Sequence, residues 1–142
     1  MKAPIQQTVS KSMLLGSFAV GVALLCSAFY APKAPTPWKA PASADSKQNP
    51  VVSDAASIAA GKQIYAKECQ SCHGKKGKGD GPAAAMLDVP VGDFTQAATQ
   101  GQTDGAIAWK ITEGRKPMPS FKKKLTEQQV WQTVTYMRTL KQ

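Results

Sequence analysis

The chain has 142 residues, with 18 Lys or Arg against 9 Asp or Glu and a formal charge of +9. Its single histidine excludes any centre held by two imidazoles of one chain. The basic balance alone would suit nucleic acid, but no nucleic-acid-binding motif accompanies it.

Lys2 and Lys11 precede an uncharged stretch from Ser12 to Pro32, 21 residues mostly of Leu, Ala, Val, Gly, Ser and Phe. At about 1.5 Å per residue this stretch can cross a hydrocarbon core of roughly 30 Å as a helix, and lysines ahead of it keep the N-terminus cytoplasmic. A cleaved secretory signal is the rival reading, since Cys26-Ser27-Ala28 offers small residues at a cleavage site. The length of the run and Phe29-Tyr30 near its end favour a retained anchor. Acylation at Cys26 is disfavoured by the bulky Leu25 before it. Residues 1–32 therefore read as a membrane anchor or signal segment, and the remainder of the chain as exported. Residues 33–53 carry Pro35, Pro37, Pro41 and Pro50 among Ala, Ser and Lys, the composition of an extended, semi-rigid linker.

Residues 54–142 form the third unit. Ser53 or Asp54 can cap a helix through Ile58, Gly61, Ile64, Tyr65 and Glu68, with apolar positions at helical spacing. This helix delivers Cys69-Gln70-Ser71-Cys72-His73. Gly74, Gly77, Gly79 and Gly81 then break helical structure and suit a loop; no Lys-Ser or Lys-Thr follows at P-loop spacing, so a nucleotide cradle is disfavoured. Residues 102–113 read as another helix, with Ile107, Trp109 and Ile111 available to a core and Gly114 ending it. Trp109 has two readings, a donor to a cofactor carboxylate and a packing residue, of which packing is the stronger. Pro117 and Pro119 flank Met118 on a stiff, extended loop. The last helix opens on Thr126-Glu127-Gln128-Gln129, a capping box, and carries Val130, Val134 and Met137 on one stripe. No stretch alternates like a half-buried strand, so the fold class is all-α.

The spacing C-x-x-C-H is the attachment pattern of a c-type haem: Cys69 and Cys72 for two thioethers and His73 as the adjacent axial ligand. A thioredoxin-like redox pair would need a surrounding βαβ pattern, and a zinc site a further pair of ligands; neither accompanies this motif. With no second histidine, methionine is the natural sixth ligand. Met1 and Met13 lie in the N-terminal segment and Met137 on the packing stripe of the last helix, which leaves Met86 and Met118. The rigid loop favours Met118, and Met86 reads as gap-filling packing near the porphyrin. No disulfide is expected between Cys69 and Cys72. A single haem would complete the core of an 89-residue domain that is otherwise marginal in size.

Residues 54–142 resemble the class I mono-haem cytochromes c, through Cys69-x-x-Cys72-His73, Met118-Pro119 and a C-terminal helix with Trp131, Tyr136, Arg138 and Leu140. The resemblance implies a cytochrome c fold, a small helical domain wrapped around one covalently attached haem. It also implies that Gly61 and Tyr65 on the first helix cross the last helix at Tyr136, and that the Pro82 carbonyl accepts the second N–H of His73. Gly79-Asp80-Gly81-Pro82, Asp93-Phe94-Thr95 and Trp109-Lys110-Ile111 are similar to a bacterial branch found both as small carriers and as modules of respiratory complexes. The implied activity is electron transfer through a His73/Met118-ligated haem c, with no enzymatic role. A haem enzyme or gas sensor with a labile sixth ligand, peroxidase-like, is the alternative.

Within residues 54–142, 13 Lys or Arg stand against 8 Asp or Glu. Lys75, Lys76 and Lys78 follow the haem motif, and Arg115, Lys116, Lys122, Lys123 and Lys124 flank Met118. A basic rim of this kind suits a redox partner with an acidic docking surface. Ordinary solvated lysines are the bland alternative. The expected setting is the bacterial cytoplasmic membrane, held by the N-terminal helix, with the haem domain on the periplasmic side, as a tethered carrier or a subunit of a respiratory complex.

Overall fold

The computed structural model describes residues 37–142. The expected span from Ser12 to Pro32 and the first residues of the linker lie outside them. Among the described residues no helix is long and apolar enough to cross a membrane.

Among the described residues six helices appear in chain order: α1 (Ala42–Asp45), α2 (Ala55–Glu68), α3 (Gln70–His73), α4 (Ala97–Gln100), α5 (Asp104–Glu113) and α6 (Glu127–Arg138), with a 3-10 turn at Ala84–Met86. Among the described residues there is no β-strand beyond one isolated bridge, Arg115 to Met118. The longer helices begin where local chemistry satisfies their free N–H groups. Asp54 Oδ1 accepts from Ser57 N at 2.7 Å, and Thr103 Oγ1 accepts from Ala106 N at 3.1 Å. At α6, Thr126 and Gln129 form the full capping box, a device in which each residue satisfies the other's backbone donor.

The core forms where α2 crosses α6. A Cβ at Gly61 would overlap the Gln132 carbonyl oxygen and come within 2.9 Å of Tyr136 Cβ. Glycine at this position is therefore what allows the two backbones to touch. Tyr65 packs beside it on Tyr136, ring centroids 5.2 Å apart. Ile107 and Ile111 of α5 close the third side, and Val130, Trp131, Val134 and Met137 of α6 fill the centre. Each such buried side chain contributes about 1.5–3 kcal/mol relative to exposure. Arg138 ties the end of α6 to the start of α5: its Nε donates to Asp104 Oδ1 at 2.7 Å and its guanidinium to the Gln102 carbonyl at 2.6 Å.

The region 33–53 differs from its reading as an extended linker. Residues 38–51 lie on the helical domain and belong to the same compact unit, Trp38–Gln142. Ala44 of α1 is 5% exposed. Its carbonyl oxygen sits where a Cβ of Gly105 would be, so α5 accepts the segment only because residue 105 is glycine. Thr103 Oγ1 donates to Asp45 Oδ1 at 2.7 Å, and Asn49 Nδ2 to Thr135 Oγ1 at 3.1 Å. Proline-rich composition carries no information about the complementary surface that receives this segment.

Candidate haem site

Residues 69–73 make one helical turn: Cys69 O accepts from Cys72 N at 3.2 Å and from His73 N at 2.9 Å. Positions i, i+3 and i+4 lie on one helical face, so the turn brings Cys69, Cys72 and His73 together on one side. The loop after it holds the turn by its carbonyls. Ala83 N, Gly81 N and Gly79 N donate to the carbonyls of Ser71, Cys72 and His73 at 2.9, 3.1 and 2.9 Å. These are acceptors a helix end would otherwise leave unmatched. From the other side, Tyr65 Oη donates to the Gly74 carbonyl at 2.7 Å, fixing α2 to the residue after His73. Burial pushes the Tyr65 hydroxyl pKa up, which keeps it a donor.

Both thiols are free. Burial, with the neighbouring Glu68 carboxylate, pushes the Cys69 thiol up to about 12. A disulfide-exchange pair relies on the opposite shift, a thiolate stabilised near neutrality, so the burial of Cys69 argues against the thioredoxin-like reading. For His73, burial lowers the pKa while the Gly92 carbonyl acts in the other direction. The neutral ring that results is the form that ligates metals.

The carbonyl that faces that ring belongs to Gly92, where the family resemblance implied Pro82. His73 Nδ1 lies 3.4 Å from the Gly92 carbonyl oxygen, whereas Pro82 is exposed in the turn that precedes the 3-10 segment. With Nδ1–H donating to a carbonyl, Nε2 is left as the lone-pair nitrogen. The His73 ring also stacks on Phe94, centroids 4.2 Å apart and planes 23° from parallel. Phe94 is the residue that sequence reasoning did not place in the site. It is held by Asp93, whose Oδ1 accepts from Thr95 N at 2.8 Å and Thr95 Oγ1 at 2.7 Å, and by Gln100 Nε2, which donates to the Phe94 carbonyl at 2.6 Å. The only local signal for this arrangement is Asp93-x-Thr95, an Asx-turn pattern.

Met118 sits in a tight turn rather than on an extended loop: Arg115 N donates to Met118 O at 3.0 Å and Met118 N to Arg115 O at 2.9 Å. The turn is tied back to α5 by Ser120 Oγ, which donates to the Thr112 carbonyl at 2.6 Å. Met118, Cys69 and Phe94 all pack, half-buried, on the edge of the same core cluster. Met86 is 79% exposed and lies off the core cluster on which Met118 packs. Trp109 is half-buried and faces Trp38, with centroids 6.4 Å apart.

The donor set fits a c-type haem: two reduced thiols and an imidazole on one helical face, a neutral ring with one nitrogen available, and a thioether on the same core edge. Beside the motif, Gly81, Ala84, Leu87 and Val89 border an open concavity of about 480 Å³. A cleft of about 280 Å³ between α5 and α6, lined by Trp109, Glu113 and Trp131, contains no residue of the motif and is not part of the site.

An all-α domain carrying this donor set defines a mono-haem c-type cytochrome, with one covalently bound haem c. The family model described as "Cytochrome C oxidase, cbb3-type, subunit III" matches residues 56–137, and the chain belongs to that family. Among solved structures it is similar to a chain of the "Kuenenia stuttgartiensis reducing HAO-like protein complex Kustc0457/Kustc0458", 32% identical with a TM-score of 0.57, covering 66% of this chain and 47% of that one. It therefore spans about half the length of that relative. It is also similar to the "KustC0563 c-type cytochrome", 31% identical with a TM-score of 0.51, covering 58% of this chain and 98% of that one. A search of curated proteins returned no match. The chain is an electron-transfer haem protein.

Proposed function

We propose that Cys69 and Cys72 carry the haem thioethers, that His73 and Met118 are its axial ligands, and that the protein passes single electrons without catalysing a reaction of its own. The observation that carries this reading is the single helical turn that puts Cys69, Cys72 and His73 on one face. When bound, the haem iron supplies a one-electron couple, and Met/His ligation favours its reduced state. The chain's own residues do the rest. Gly92 and Phe94 hold the His73 ring, the Arg115 to Met118 turn holds the thioether, and the domain's basic rim faces partners.

The proposed setting is the periplasmic side of a bacterial cytoplasmic membrane, with Ser12 to Pro32 as anchor. The likeness to a chain of a multi-protein complex supports membership of a complex over a long-range carrier.

The test is to purify the chain from native membranes and resolve it by denaturing gel. Haem that stays with the polypeptide after acid–organic extraction is the expected result; haem released intact overturns the attachment at Cys69 and Cys72. Carbon monoxide binding to the reduced wild-type protein would overturn the closed sixth position and favour the haem-enzyme or gas-sensor reading.

A further inference from the structure

We propose that Trp38 is a positioning residue for Met118, so that the segment N-terminal to the haem domain holds the turn presenting the sixth ligand. The proposal rests on Met118 as that ligand. The Arg115 guanidinium carbon lies 5.0 Å from the Trp38 ring centroid, and Lys110 Nζ lies 5.5 Å from it. Both are within cation–π range. Arg115 is shared between two structures: its side chain rests on Trp38, and its backbone N–H and C=O make the two hydrogen bonds that close the turn at Met118.

Trp38 is itself held. Its ring tilts against Trp109 at 60°, and the segment that follows is seated on α5 by Ala44 and Asp45 and on α6 by Asn49. Two cations on one indole repel each other: Lys110 has its pKa lowered first by burial and then by Arg115. The ring's negative face offsets that repulsion. Without the ring, Arg115 has less reason to stay beside Lys110, and its displacement would pull on the backbone pair that fixes Met118. A thioether is a weak ligand, so its retention depends on how rigidly the turn presents it.

The test uses the holoprotein with Trp38→Ala and Trp38→Phe. Amide hydrogen exchange at Arg115 and Met118 should rise on the order of tenfold in Trp38→Ala relative to Val134 in α6, and Trp38→Phe should restore most of the protection. The sulfur-to-iron charge-transfer band of the oxidised protein should be lost at a lower temperature in Trp38→Ala than in the wild type. Unchanged exchange at Arg115 and Met118 overturns the proposal, as does an increase equal to that at Val134, which would reflect general destabilisation. A charge-transfer band that survives Met118→Ala would overturn the ligand assignment instead, while the exchange measurement would still report whether Trp38 holds the turn.

Discussion

Met118 and Met86 have the same side chain in opposite surroundings. Met118 is half-buried on the core edge in a turn closed by two backbone hydrogen bonds, and Met86 is 79% exposed. Met118→Ala should therefore abolish the sulfur-to-iron charge-transfer band, lower the reduction potential and open the reduced protein to carbon monoxide, because the thioether's preference for ferrous iron is lost. Met86→Ala should leave all three unchanged, and an optical titration of the two variants separates them. Gly61 gives a stability counterpart. A Cβ there overlaps a backbone carbonyl of α6, which cannot yield as a flexible side chain would, so Gly61→Ala should destabilise by about 1–3 kcal/mol or more, read as a lower thermal midpoint. The attachment motif was accessible from residue types and spacing, Met118 entered as the candidate sixth ligand by elimination among the methionines, and the place of Gly61 at the helix crossing came from the family resemblance. Gly92 and Phe94 were not, because their position at His73 depends on how a 20-residue loop closes, through Phe94 N donating to Gly77 O at 2.6 Å. The family resemblance pointed to Pro82, nearer in sequence to His73 and exposed in the structure.

Helix boundaries followed from local chemistry, and their costs can be measured locally. Thr126→Ala removes the side chain that accepts from Gln129 N at 3.2 Å and should cost about 1 kcal/mol. The same reasoning could not find the packing of residues 38–51, because the determinants sit on other helices: the missing Cβ of Gly105, the Thr103 hydroxyl and Thr135. The consequence is quantitative. A chain beginning at Asp54, which a linker reading makes a complete domain, lacks the buried Ala44, the half-buried Val51 and the Asn49 hydrogen bonds. Compared with a chain beginning at Pro37, it should be about 2–4 kcal/mol less stable, a drop of roughly 10 °C or more in thermal midpoint for a domain of this size. Equal midpoints for the two holoproteins would show that the segment rests on the domain without stabilising it.

At the scale of the whole molecule, the lysines divide by what they already touch. Lys124 Nζ pairs with Glu68, whose side chain is 7% exposed, and Lys122 Nζ lies 3.4 Å from Glu113 Oε1. Among the described residues, the rim lysines Lys75, Lys76, Lys78, Lys116 and Lys123 are exposed and have no carboxylate within ion-pair distance. The rim charge offered to a partner is therefore carried mainly by these five, and reversing Lys124 tests something else. Lys124→Glu places a like charge beside a buried carboxylate and should cost roughly 1–3 kcal/mol of stability, with solvent around the exposed lysine moderating the loss. Lys75→Glu, Lys76→Glu and Lys123→Glu together should leave the thermal midpoint nearly unchanged and slow electron transfer to an acidic partner by about tenfold or more at low ionic strength, because they remove steering and not packing. Raising the salt should bring this variant and the wild type together, since surface charges are screened over only about 3 Å at 1 M. Stopped-flow rates at several ionic strengths, set beside thermal melts of the same proteins, decide the matter. A wild-type rate indifferent to salt and to the triple reversal would remove the basic rim from the docking surface, and would leave proximity to a partner as the source of the encounter.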